Sequence, residues 1–183
     1  MRIISGLYRG RVLKSPADNK TRPTSDRLRE TLFNVLDPRI DATVRFLDLC
    51  AGTGAVGIEA ISRGAGFATF VDRSKKSCAL IEENLDKLEI PEAQTDVLGL
   101  DVDNFAGREH AASWNIAFFD PPYESDYSIV LHEFGFNRTL LGEEGMLIVE
   151  HHSKKTIPDE IGRLRRWRIL KQGETSLSFY ENA

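Results

Sequence analysis

The sequence predicts a doubly wound α/β domain of Rossmann-like type. Three observations predict it. Apolar runs of strand length alternate with helical stretches between residues 44 and 150. One of those strands enters a glycine-rich turn that opens a helix. A hairpin around Gly173 closes the chain. Alternating strands and helices imply a mostly parallel sheet covered on both faces, and the closing hairpin adds an antiparallel strand.

Each element follows from local chemistry. Residues 2–13 (RIISGLYRGRVL) read as a short hairpin turning near Gly6–Gly10. A helix starts near Pro23-Thr-Ser-Asp and runs to Leu36, with Leu28, Leu32, Val35 and Leu36 at helical spacing and Pro38 as its stop. Val44–Cys50 is a strand, and Ala55–Arg63 a helix ended by Gly64. Phe67–Val71 is a strand. Ser74–Leu88 is a helix with Ser74 as N-cap and Pro91 beyond its end. A strand near Thr95–Leu100 precedes a short helix near Val102–His110. Ile116–Phe119 is a strand, a helix lies within Tyr127–Leu141, and Met146–Glu150 is the next strand. Arg165–Leu170 and Ser176–Tyr180 form the final hairpin. No linker splits the chain, so residues 1–183 read as one domain: a basic hairpin and helix over 1–39, and a ligand-binding core over 40–183.

Composition narrows the class. The 183 residues are 41% hydrophobic and 28% charged, as in a globular chain with a proper core. The two cysteines, Cys50 and Cys78, are too few for a disulfide framework and lack metal-like spacing. His110, His132, His151 and His152 also lack metal spacing, so no metal is expected. No signal or membrane-spanning run is present, which points to a cytoplasmic protein. The net charge of -4 is unevenly spread. Residues 1–39 carry nine Lys/Arg against four Asp/Glu, and residues 154–171 seven against two. Residues 40–153 carry eight against twenty. Basic flanks around an acidic centre fit a polyanion held at the edges of a cation-preferring site, and equally fit solvated helix faces.

The stretch FLDLCAGTGAVGIEA (Phe46–Ala60) is strand, turn and helix, with Gly52, Gly54 and Gly57 in G-x-G-x-x-G spacing. Asp72 lies twenty residues after Gly52, at the end of the next strand. Such glycines let the backbone turn and approach a ligand, and such an acid accepts from ribose hydroxyls. A strand–helix turn that simply needs glycine lacks the placed acid, so nucleoside binding is the stronger reading. Asp48, just before the turn, repels a pyrophosphate and attracts an ammonium or sulfonium group, a reading that an Asp48 turned sideways into a helix cap would weaken. S-adenosyl-L-methionine (SAM) carries both cations and an adenosine. Asp101 follows the third strand, where it either meets an adenine amino group or caps the next helix.

DPPY (Asp120, Pro121, Pro122, Tyr123) follows the apolar run Ile116–Phe119. Asp120 then stands at the carboxyl end of a strand, where doubly wound sheets bind ligands. An exocyclic amine on a nucleobase is a weak nucleophile because its lone pair is delocalised. The Asp120 carboxylate and the Pro121 carbonyl can each accept one of its N–H groups and localise that pair. Prolines stiffen the loop and offer no competing donor. Tyr123 gives a face on which a base stacks, worth ~1–3 kcal/mol. A plain type I turn explains DPPY in isolation, but not its place downstream of the glycine loop.

These residues resemble SAM-dependent amino-methyltransferases. RPTSDRLRETLFNVL (Arg22–Leu36), DLCAGTGAVGIEAISRGA (Asp48–Ala65), FFDPPY (Phe118–Tyr123) and LIVEH (Leu147–His151) together resemble the bacterial small-subunit (16S) ribosomal RNA guanine-N2 methyltransferase family. RIISGLYRGRVLKSP and GETSLSFY fit as well. The resemblance implies a seven-stranded SAM fold and methylation of one guanine of 16S ribosomal RNA on N2. It implies Cys50, Ala51, Gly52, Thr53, Gly54 and Asp72 around SAM, and Arg73, Asp101 and Val102 join them as chain neighbours and pocket candidates. It implies Asp120–Tyr123 around the target amine, with Arg22, Pro23 and Thr24 near the pocket. Arg2, Arg9, Arg11, Lys14, Lys20, Arg22, Arg27, Arg29, Lys154 and Lys155 are candidate phosphate contacts. The expected partner is 16S ribosomal RNA or the assembling small subunit, met by a monomer. Methylation of DNA adenine or cytosine, or of a protein glutamine amide, is the alternative. An NAD-dependent oxidoreductase leaves DPPY unexplained, and a non-catalytic RNA-binding protein would be favoured by a lost motif, of which there is none.

Overall fold

The sheet is built outward from β1 (Arg45–Leu49), whose last four residues are all buried. β1 lies between β2 (Phe67–Val71) and β4 (Trp114–Phe119), parallel to both. β3 (Thr95–Leu98) pairs parallel with β2, and β5 (Leu141–His152) parallel with β4. β8 (Thr175–Asn182) runs antiparallel to β5 and to β7 (Leu164–Gln172). The full order is β3-β2-β1-β4-β5-β8-β7-β6, so the strand order reverses between β1 and β4. This computed structural model describes residues 1–16 and 26–183. The Arg22, Pro23 and Thr24 expectation, and that of Lys20, lie outside the described residues.

Both faces are covered, as the continuous apolar strands require. On one face α1 (Asp26–Leu36), α2 (Ala55–Ser62) and α3 (Lys75–Lys87) pack Leu32, Phe33, Ile58 and Ile81 against Phe46, Phe70, Phe118 and Ile148. On the other face α4 (Val102–Ala106) and α5 (Ser128–Phe136) pack Phe105, Val130 and Phe134 against Leu47, Phe119 and Val149. Ser74 caps α3 as expected, accepting from Ser77 N.

The largest differences from expectation lie in β5, β6 and α4. β5 begins at Leu141 rather than Met146, because buried Leu141 pairs with Trp114 before the register shifts. The glycines and glutamates between them, assigned to no element by the sequence, lie in the strand. A two-residue strand, β6 (Glu160–Ile161), extends the sheet to eight strands from the seven expected. α4 stops at Ala106 rather than reaching His110.

The N-terminal hairpin is narrow, with one bridge between Arg2 and Val12. It is fastened to α2 by polar groups. Glu59, wholly buried, accepts from Ile4 N at 2.8 Å and Ser5 N at 2.9 Å. Gly6 has φ +82°, and a Cβ there would lie 1.8 Å from the Ser62 carbonyl oxygen, so only glycine fits this approach. Asn84 of α3 accepts from Lys14 N and donates to the carbonyls of Lys14 and Thr53. One buried amide thus ties the N-terminal segment to the glycine loop.

Candidate active site

The glycine loop takes its shape from two acids. After β1 the backbone enters the left-handed region at Cys50 (φ 61°), Gly52 (φ 57°) and Gly54 (φ 74°). Cys50 is a costly occupant, of order 1–3 kcal/mol, held by the glycines and acids around it. Asp72 at the end of β2 accepts from Gly52 N at 2.9 Å and from Ser74 N at 2.8 Å. Asp48, 2% exposed, accepts from Gly57 N at 2.8 Å, inside the first turn of α2. A Cβ on Gly57 would come within 2.3 Å of the Phe70 ring, so the third glycine is there for helix–strand packing. A Cβ on Gly52 would meet only the Cys50 carbonyl at 3.9 Å, so the second residue of the turn faces open space.

Asp48 modifies the expectation built on it. Its carboxylate turns into the helix cap instead of lying wholly toward a ligand cation. Burial pushes its pKa well above the usual carboxylate range, with the charges of Asp120 and Asp72 adding and the Gly57 N–H opposing. The same bond sharpens a different argument. A pyrophosphate needs the free N–H groups of a helix N-terminus, and one of these already serves a carboxylate.

The facing wall is the loop after β4. Leu49 lies opposite Phe119, and Asp120 N donates to Leu49 O at 3.3 Å, so DPPY leaves the sheet beside the glycine loop. Tyr123 shares a 2.7 Å hydrogen bond with Thr175 Oγ1 and meets the His152 ring edge-on at 5.5 Å. Lys155 Nζ donates to the carbonyls of Tyr123 (2.9 Å) and Ser125 (2.6 Å), and sits 3.6 Å from the centre of the Tyr127 ring. Tyr127 directs its hydroxyl at the Pro121 carbonyl, 3.5 Å away. Burial, then Asp120, Tyr123 and Glu150, drive its pKa upward, so the phenol keeps its proton as a donor.

Both walls face one cavity of about 1240 Å3. Asp48, Cys50, Ala51, Gly52, Thr53, Asp72, Arg73, Asp101 and Val102 line it from one side, and Asp120–Tyr123 with Glu150 from the other. Met1, Ser15 and Pro16 close part of the rim. Gly54 is buried behind the loop against Ile81 and Phe70. Asp101 caps α4 as one of its two readings expected, accepting from Asp103 N at 3.1 Å, and it also borders the cavity.

The basic candidates separate. Arg9, Arg27 and Lys154 are exposed. Lys14 pairs with Glu83 at 2.7 Å, both side chains 55% exposed, a contact of small energy. Arg11 donates to the Lys87 carbonyl. Two expectations need correction. Lys155 is spent on the DPPY loop, because two carbonyls and a ring surround its ammonium. Arg29 is 0% exposed, donating to the Arg2 carbonyl and pairing with Asp26, because it anchors the hairpin to α1. Sequence reasoning missed Glu59 and Asn84; their signal is a lone polar residue on an otherwise buried helix face.

The chain is similar to known proteins along nearly all its length. The family described as conserved hypothetical protein 95 matches residues 1–181. The ribosomal RNA small subunit methyltransferase D of Escherichia coli is 35% identical over 99% of this chain and 89% of its own. That of Haemophilus influenzae is 30% identical over 98% and 91%. Among solved structures, the yhhF protein of Escherichia coli matches with a TM-score of 0.85 and 32% identity, covering 100% of this chain and 97% of its own. A hypothetical protein of Thermus thermophilus matches at 0.84 and 31%, covering 99% of each. SMU.776, solved with SAH, shares the fold at 16% identity and a TM-score of 0.68, over 83% of this chain and 48% of its own. The chain belongs to the conserved hypothetical protein 95 family, together with these small-subunit ribosomal RNA methyltransferase D relatives.

Proposed function

We propose that this chain is a SAM-dependent methyltransferase acting on the N2 amine of one guanine in 16S ribosomal RNA, in the assembled or assembling small subunit. The observation that carries the reading is the shared cavity: the glycine loop and DPPY face each other across one space. The residues present fit the cofactor. Open space before Gly52 leaves room for a nucleoside against backbone, and Asp72 and Asp101, which border the same cavity, are the proposed ribose and adenine acceptors. The carboxylates around the cavity favour a cation over a pyrophosphate.

When bound, SAM supplies an electrophilic methyl group and leaves as the neutral thioether. The chain's own residues prepare the acceptor. Asp120 and the Pro121 carbonyl accept the two N–H groups of the amine and turn its lone pair toward the methyl. With SAM bound, that pair would form the new N–C bond while the S–C pair stays on sulfur. Asp120 faces the positive charge that develops on nitrogen, and the cationic amine, acidic enough to need no strong base, would then lose one proton to solvent water. Lys155 and Thr175 hold the loop that carries these acceptors. The target base is splayed from its stack onto Tyr123. The exposed Arg9, Arg27 and Lys154, with Arg22, Pro23 and Thr24, are proposed to meet the RNA, giving a salt-sensitive affinity. Residues 1–183 work as one cytoplasmic domain and as a monomer.

The test is incubation with tritiated SAM and, separately, small subunits, stripped 16S RNA, DNA and protein. Label is expected in the subunit, recovered after nuclease digestion as N2-methylguanine. Label in adenine, cytosine or a glutamine amide overturns the assignment.

A further inference from the structure

Glu150 is a carboxylate of the cavity that the transfer scheme leaves without a task. It is 5% exposed and lies in the last part of β5. β5 is parallel to β4 with Phe119 opposite Val149 as the last paired residues, so Asp120 and Glu150 each follow one member of that pair on neighbouring strands, whose backbones run about 4.8 Å apart. Phe118 and Ile148 face one core while Phe119 and Val149 face the other, and alternation along β5 returns Glu150 to the first face, where its antiparallel partner Leu177 also packs. Both line the cavity, and both act electrostatically on Tyr127.

We propose that Glu150 selects the base: its carboxylate accepts the N1–H of the target guanine while Asp120 holds the adjoining N2 amine. The inference rests on the methyl-transfer reading above. An ionised carboxylate only accepts hydrogen bonds. In adenine and cytosine, the ring nitrogen next to the exocyclic amine on the pairing edge is also an acceptor. Those bases put lone pair against carboxylate. Guanine alone puts an N–H beside its amine, and its bond to the carboxylate is charge-assisted. A side chain amide of glutamine has no ring donor at that place. Two neighbouring acids thus read two neighbouring donors, and only guanine supplies both.

The probe is a small subunit reconstituted with 2,6-diaminopurine at the methylated guanine. This base keeps the N2 amine but carries an acceptor at N1. Initial rates are compared on both subunits for the wild type and for Glu150→Gln, whose amide can donate to N1, with SAM binding followed by calorimetry. The wild type is expected to prefer guanine by about 10^2-fold or more, in line with sites built around a substrate N–H. Glu150→Gln is expected to bind SAM normally and to narrow that preference by at least about tenfold. Equal wild-type rates on the two bases overturn the inference, as does a SAM-binding Glu150→Gln that keeps the wild-type ratio. Should the variant fail to bind SAM, the wild-type ratio decides alone. Failure of the wild type to methylate guanine at all overturns the underlying reading instead.

Discussion

The two walls of the cavity are held by different means. On the glycine-loop side, acids hold backbone over short spans: Asp48 holds Gly57 N, and Asp72 holds Ser74 N and reaches back to Gly52 N. On the DPPY side, distant groups hold the loop: Lys155 grips Tyr123 and Ser125 from about thirty residues away, and Thr175 grips Tyr123 from farther still. The first wall shapes itself, whereas the second is clamped by the loop after β5 and by the start of β8. A clamped wall can be loosened without harming the self-shaped one, so cofactor binding and methyl transfer should separate under mutation.

The largest expected effect is on the clamped wall. Asp120→Ala should bind SAM within a few-fold of wild type and lose about 10^2–10^3 in kcat, the usual cost of one preorganised electrostatic partner. Tritium transfer and calorimetry on the same preparation check this, and full activity in the variant refutes the assigned role. Lys155→Met should come next. Freeing the two carbonyls lets the loop shift, and a displacement near 1 Å costs up to about 10^2-fold in kcat. SAM affinity should stay within about threefold, since the residue touches only the acceptor side. A matching loss of SAM affinity would show that the walls are not separable.

Asp72→Ala inverts the pattern. It removes charge-assisted bonds to Gly52 and Ser74, each worth about 1.5–3 kcal/mol. SAM affinity should fall about 10–100-fold, with kcat at saturating SAM little changed. The smallest effect concerns stability. Because the Asp48 pKa is raised above its ordinary 3.8, the folded chain keeps a proton that the unfolded chain has released. This contribution is complete below about pH 4 and is lost as pH rises through the folded-state value. Asp48→Asn keeps an oxygen for Gly57 N–H but cannot ionise. Denaturant midpoints measured from pH 4 upward should therefore turn in favour of the Asn variant, and a gap that stays constant with pH contradicts the assignment.

This contrast also explains what the sequence made legible. Spacing alone placed Gly52, Gly57 and Asp72, because the bonds among them run within one strand–turn–helix–strand unit. It placed Asp120 at a strand end, because β4 is a continuous apolar run. It misjudged Lys155 as a phosphate contact, since nothing in a lysine's own neighbourhood shows that two carbonyls from another loop will meet it. Arg29 was misjudged for the same reason: its burial depends on the hairpin folding back over α1. The Asp48 cap was legible as a possibility only, because a carboxylate before a glycine turn can face the ligand or the helix. The start of β5 at Leu141 was hidden by Gly142 and Gly145, which tertiary pairing with Trp114 overrides.

A crystal structure of the chain with SAM tests the shared cavity most directly. Adenosine is predicted between Asp72 and Asp101, with the sulfonium methyl directed at the space in front of Asp120 and Pro121, leaving about 3–3.5 Å for an incoming nitrogen. A methyl group directed away from that loop, or a cofactor seated outside this cavity, would contradict the account.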